Sequence, residues 1–254
     1  MVDRRAFVFE ATAGALLATP TLASRLAAIR ARNVVLVHGA FADGSSWSKV
    51  IPSLQAAGLN VAAVQNPLSS LEQDCECTRQ VLALQDGPTV LAAHSYGGEV
   101  ITQVGVDPKV SAVVFIAARA PDAGEDYTAL AKTYPASPAS AGVVHAGGFA
   151  QLGEEAFLRD FANGVDPVTA KALYAVQGRI ADTLFSARVT AAAWRSKPSF
   201  YAVSRQDRTI NPDLERFMAK RMQARTIELD SGHLSLISHA QAVSQLIMQA
   251  SGLI

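Results

Sequence analysis

The chain has 254 residues, of which 50% are hydrophobic, 17% charged and 7% aromatic, a composition that buries a sizeable core and excludes disorder, collagen and a coiled coil. Lys and Arg number 22, as do Asp and Glu; the formal net charge is zero, and no polyanionic partner such as nucleic acid is expected. The densest basic stretch, residues 216–225, interleaves its cations with apolar residues and reads as the solvated face of an amphipathic helix.

Taken in chain order, the amino terminus is a separate object. Arg4-Arg5-Ala6-Phe7-Val8 has the form of a twin-arginine export signal, followed by a weakly apolar stretch over 11–18, Pro20 and the small-residue sequence Thr21-Leu22-Ala23. The expectation is a leader over about residues 1–30, cut after Ala23, a periplasmic or extracellular protein, and a folded domain over 31–254. Glu10 is an awkward residue for such a signal, and the alternative is a leader that stays attached. The stretch is too short and its side chains too small for a stable membrane anchor, which needs about 20 strongly apolar residues.

From residue 33 short apolar runs alternate with helix-period segments. Strands are expected over 33–38, 60–64, 89–94, 110–118, 199–204 and 225–229, with helices over 46–57, 71–84, 95–106, 212–222 and 236–249. Nearly continuous Val/Ile/Leu/Ala strands separated by helices require a mostly parallel sheet of about six strands covered by helices, an α/β fold. Residues 122–196 show no clear apolar strand and are read as an inserted helical cap. Cys75 and Cys77, in Cys-Glu-Cys, point apart on a helix, so neither a disulfide framework nor a zinc site is expected.

The chemistry starts at Ala93-His94-Ser95-Tyr96-Gly97-Gly98, straight after an apolar strand and at the opening of a helix. That is where a nucleophile elbow exposes a serine above the sheet, with small residues two positions to either side because the turn leaves no room for larger ones. A serine hydroxyl needs a histidine base and an orienting carboxylate, which in this arrangement follow in the order Ser, acid, His. Asp207, after the strand 199–204, and His233, after the strand 225–229, both stand at the carboxyl ends of parallel strands, where such sheets collect functional groups. His239 is the rival base and Asp122, Asp213 and Asp230 the rival acids. His38 and His94 are read as packed histidines bracing the turns beside the site, and Asp213 as a helix cap. The backbone N–H groups of Ala40, in His38-Gly39-Ala40-Phe41, and of Tyr96 are the expected oxyanion donors.

At these residues a resemblance becomes specific. The segments 34–47, 93–98, 114–122 and 231–233 are similar to the α/β-hydrolase superfamily, in particular to the group holding plant methyl esterases, hydroxynitrile lyases and their bacterial relatives. The resemblance spans about residues 33–250, with the cap matching only in length and position. It implies an α/β-hydrolase fold with Ser95 as nucleophile, Asp207 as acid, His233 as base and Ala40 and Tyr96 at the oxyanion hole. The lyases of the group carry a threonine and a lysine where this chain has Gly39 and Leu234, so cyanohydrin cleavage is not expected. A dehalogenase or epoxide hydrolase would place Asp at position 95.

The expected activity is hydrolysis of a small or medium apolar carboxylic ester through a serine acyl-enzyme, with no cofactor or metal. Phe41, Trp194, Tyr96 and the cap aromatics Tyr127, Phe149 and Phe161 are candidate pocket residues. A lactonase or amidase would use the same triad, and a weakly catalytic ligand-binding protein is the alternative from another class. Oligomeric state and physiological substrate are not readable from the sequence.

Overall fold

The computed structural model describes residues 30–254, so the expected leader lies, but for Arg30, outside the described residues. Six strands form one sheet in which every pairing is parallel: β1 (Asn33–Val37), β2 (Asn60–Ala63), β3 (Thr89–His94), β4 (Val110–Ile116) and, after an insertion holding β5 (Val143–Ala146), β6 (Phe149–Leu152) and β7 (Ile180–Ala181), β8 (Ser199–Ser204) and β9 (Arg225–Leu229). Their order is β2-β1-β3-β4-β8-β9. β1, β3 and β8 are buried at every residue, as strands covered on both faces must be, whereas the edge strands β2 and β9 are largely half-exposed or exposed. The expected α/β fold is therefore borne out.

Helices fill the connections: α1 (Ile51–Ala56), α2 (Leu71–Ala83), α3 (Gly97–Val104), α4 (Tyr127–Ala131), α5 (Glu154–Ala156), α6 (Pro167–Ala175), α7 (Pro212–Arg221), α8 (Ser235–Ser238) and α9 (Ala240–Ala250). α2 packs on α3 and β1, α3 on β3, and α9 on β4 and β8. The caps are local chemistry. Ser70 accepts the Gln73 N–H at the start of α2, and Asn211 accepts the Asp213 N–H before Pro212 opens α7. Asn211, not Asp213, is thus the cap. Cys75 and Cys77 are free thiols on α2, and burial pushes the Cys75 thiol up to about 12.

Three elements differ from the sequence expectation. The helix expected over 46–57 divides into a 3-10 turn, Gly44–Trp47, and α1. Asp43 accepts both the N–H and the hydroxyl of Ser45 while Ser46 bonds back to the Asp43 carbonyl, which tightens the turn, and Pro52 is tolerated only in a helix's first turn. The last helix breaks at His239, whose φ of −127° and ψ of 37° are not helical, so His239 is not inside it as expected. The insertion between β4 and β8 is not helical alone: β5, β6 and β7 form an antiparallel ribbon. Its hairpin turns at Gly147-Gly148, both at positive φ, as a two-residue primed turn requires.

Candidate active site

Ser95 sits between β3 and α3 with φ at +54°, a left-handed conformation that costs a non-glycine residue on the order of 1–3 kcal/mol. The surroundings hold it there. Its N–H donates to the Ile116 carbonyl (3.2 Å), and its own carbonyl accepts from Gly98 (3.0 Å) and Arg119 (3.0 Å). The turn is tight enough to dictate its neighbours, since a Cβ on Gly97 would lie 2.6 Å from the His38 carbonyl oxygen and one on Gly39 2.7 Å from the Ser95 Cβ.

The ends of three strands meet at this serine. The Ser95 hydroxyl donates to Nε2 of His233 (2.9 Å), and Nδ1–H of His233 donates to Oδ2 of Asp207 (2.5 Å). The other oxygen of Asp207 accepts the N–H groups of Thr209 (2.6 Å) and Ile210 (2.9 Å), which fixes the carboxylate plane. His233 is wholly buried, so the imidazole is held by its partners and not by water. His94 donates from Nε2 to the His233 carbonyl (3.0 Å) and its ring lies 4.5 Å from that of His233. His38 donates to the Gly39 carbonyl and accepts from the Asn66 N–H. Both brace the site as expected, and burial holds His38 below the usual histidine range and His94 well below it.

The rivals are engaged elsewhere. Asp122 pairs with Arg195, Asp213 with Arg216, and Asp230 with Arg205. His239 contacts Ser238.

The N–H groups of Ala40 and Tyr96 donate to no other group of the described residues, as suits donors reserved for an oxyanion. The Tyr96 side chain points away from the reacting atoms, its hydroxyl donating to Asp74 (2.7 Å) on the buried face of α2. Above Ser95 lies a cavity of about 640 Å³, within the range of small-molecule sites, whose floor is Ala40, Phe41 and Ser95 and whose walls include Tyr127, Phe161 and Phe185. Three candidate pocket residues do not line it: Tyr96, whose side chain is turned to Asp74, Trp194 and Phe149. Trp194 is buried with its indole N–H on the Pro121 carbonyl (3.0 Å), and Phe149 is exposed on the ribbon beneath the Arg179 guanidinium. Trp194 lies at the carboxyl end of the insertion, in the 3-10 turn Ala193–Arg195 before β8, where the bond to Pro121 holds it out of the cavity lining.

An all-parallel sheet carrying Ser, Asp and His at three strand ends in that chain order identifies the family, and residues 34–246 match the model described as the alpha/beta hydrolase family. The chain belongs to that family. It is 35% identical to Methylesterase 3 of Arabidopsis thaliana over 109 residues, 37% of this chain and 41% of that protein, so the match spans less than half of the relative. The fold is similar to polyneuridine aldehyde esterase (TM-score 0.74, 18% identity, 87% of this chain and 100% of that one) and to a pyrethroid hydrolase from Sphingobium faniae JZ-2 (TM-score 0.70, 18% identity, 87% and 97%). The resemblance to a methyl-esterase group read from the sequence is borne out.

Within this member of the family several residues near the site escaped sequence reasoning. The cap is clamped to the catalytic loops by Asn163, which donates to the Gln206 carbonyl (2.9 Å) and takes a long contact from the His233 N–H (3.4 Å), and by the buried Asp160, which accepts from Arg208 (2.7 Å) beside Asp207. Asp160 and Phe161 lie on a π-turn, Phe157–Phe161, the kind of helix irregularity that gathers at functional sites. Arg119, which lines the cavity, pairs with buried Glu99 (3.0 Å) and lies 3.9 Å from the Phe185 ring centre. Glu215, fully buried in the first turn of α7, accepts the Ser204 N–H (3.1 Å) just below Asp207. Only Arg119 carried a signal, its position three residues past the end of β4.

Proposed function

We propose that the protein is a serine carboxylic-ester hydrolase acting through Ser95, His233 and Asp207. The observation that carries this reading is the continuous donor chain from the Ser95 hydroxyl through His233 to Asp207 at the floor of a mostly apolar cavity. A substrate carbonyl placed over Ser95 is attacked by Oγ as its proton passes to Nε2 of His233, and Asp207 stabilises the imidazolium. The developing oxyanion is held by the N–H groups of Ala40 and Tyr96, each worth about 3 kcal/mol in such a site. The proton on Nε2 then goes to the departing alkoxide, leaving an acyl-enzyme on Ser95 that water, deprotonated by the same imidazole, hydrolyses.

Cavity size and the Phe41, Phe161 and Phe185 walls favour a small or medium apolar ester, and the sequence similarity to a methylesterase supports the ester bond as the target. Export through the leader over about residues 1–30 is part of the proposal; amino-terminal sequencing of the secreted or periplasmic protein tests it, with a mature start near Ser24 expected. The activity test is a panel of matched small esters, lactones and amides against the wild type and Ser95→Ala. Ester turnover by the wild type alone is expected. Preferential lactone or amide turnover corrects the substrate class, and a fully active Ser95→Ala enzyme overturns the mechanism.

A further inference from the structure

Asp207 and Glu215 present two carboxyl groups to one buried spot. Glu215 lies in the first turn of α7, its own N–H bonding the Asn211 carbonyl, and its side chain returns to the end of β8, the strand that Asp207 follows. Ser204 ties the two together: its N–H donates to Oε2 of Glu215 (3.1 Å), and its carbonyl accepts the Asp207 N–H (3.1 Å). Glu215 is fully buried, and Oε1 has no bonding partner if both carboxyl groups are ionised.

Counting donors decides which group holds a proton. Asp207 accepts three N–H donors, from Thr209, Ile210 and Nδ1 of His233, which suits an ionised carboxylate with about one of its four lone-pair sites still free. Glu215 accepts one, so its second oxygen is either an uncompensated buried charge or a hydroxyl. The groups facing it are Asp207 from the turn after β8, Tyr201 from β8, Tyr127 from α4 and Arg216 on its own helix. Arg216 is engaged with Glu228 and Asp213, so among the described residues no free cation beside Glu215 stands ready to neutralise a second carboxylate.

We propose that Glu215 is a fourth member of the relay, a neutral carboxylic acid whose O–H donates to Asp207 and holds it in line with His233. It is a positioning residue, acting on the reaction only through Asp207, and the inference rests on the hydrolase reading above. Burial and the Asp207 charge both push Glu215 well above the usual carboxylate range, in agreement with the geometry. The donor also spreads the Asp207 charge, which keeps the carboxylate from binding the imidazolium too tightly to release its proton.

The test pairs Glu215→Gln with Glu215→Leu in the full-length protein. Gln reproduces the neutral acid, with its carbonyl toward Ser204 and its NH₂ toward Asp207, so kcat/KM within about threefold of wild type and an unchanged acid-limb midpoint are expected. Leu removes the donor and is expected to lower kcat about tenfold or more with little change in KM. Infrared difference spectra of wild type against Glu215→Gln read the proton directly, and loss of one carboxylic-acid C=O band is expected. The proposal is overturned if no such band is lost. It also fails if Gln shifts the acid limb downward by about one pH unit, the result of deleting a negative charge near His233, or if Leu retains full activity. Should the Leu variant not fold, the Gln variant and the infrared spectra decide. The spectra do not depend on turnover, so failure of Ser95 to react with an acylating probe would remove the hydrolase reading without touching the result for Glu215.

Discussion

Each triad residue is held by partners that leave it one role. Asp207 is fixed by two backbone N–H groups and His233 by Asp207, so Asp207→Asn reverses the imidazole tautomer while leaving the packing intact. Its kcat is expected to fall about 10⁴-fold with a KM close to wild type, measured by steady-state ester hydrolysis. Ser95→Ala is expected to remove turnover while the melting temperature holds or rises, since the left-handed backbone stays but no reacting group remains. The bracing histidines predict a pH dependence of stability. His38 and His94 have folded pKa values below the ordinary 6.5, so the unfolded chain takes up protons that the folded one refuses. Their contribution is present above pH 6.5 and is lost as pH falls below it. His94→Gln is expected to flatten the decline of melting temperature below pH 6.5; an unchanged slope would mean that His94 is not a buried neutral group.

At the scale of the element, the elbow is the most legible piece of the chain because its small residues Ala93, Gly97 and Gly98 stand together in the sequence. The atoms that exclude larger side chains come from elsewhere in the chain: the Cβ of a Gly97→Ala variant would meet the His38 carbonyl at 2.6 Å, and one on Gly98 would meet the Arg119 carbonyl. That variant is expected to lose on the order of 1–3 kcal/mol in a denaturant melt and most of its activity. The cap ribbon was less legible, since β5 and β6 have four residues each and β7 two, with exposed positions such as Val144 and Phe149 that blur the apolar pattern. The Gly147-Gly148 pair was the available signal for its hairpin. Asn163 had none, because its partners, Gln206 and His233, are distant in sequence. Asn163→Ala is expected to lower kcat about tenfold, the value of one to two lost hydrogen bonds, with the triad still reactive toward a small acylating agent. An unaltered kcat would show that the cap clamp does not tune the site.

For the molecule as a whole, the fold follows from one pattern: apolar Val/Ile/Leu/Ala strands, buried on both faces at the centre of the sheet and more exposed at its edges, separated by helical segments and by one long insertion between β4 and β8. That pattern made the sheet and the three functional strand ends readable without coordinates. Trp194 and Glu215 were not readable for the same physical reason. Which way a side chain turns at the margin of a strand or in the first turn of a helix depends on what packs against it, and for these two the partners are Pro121 and Ser204.

The proposed hydrolysis depends on an activated Ser95. The most direct measurement is the intact mass of the protein after treatment with a fluorophosphonate, followed by peptide mapping of the wild type and of His233→Ala. A single adduct on Ser95 in the wild type, and a rate reduced at least a hundredfold in His233→Ala, is the predicted result. No adduct on folded wild type, or an adduct on another residue with Ser95 untouched, would contradict it.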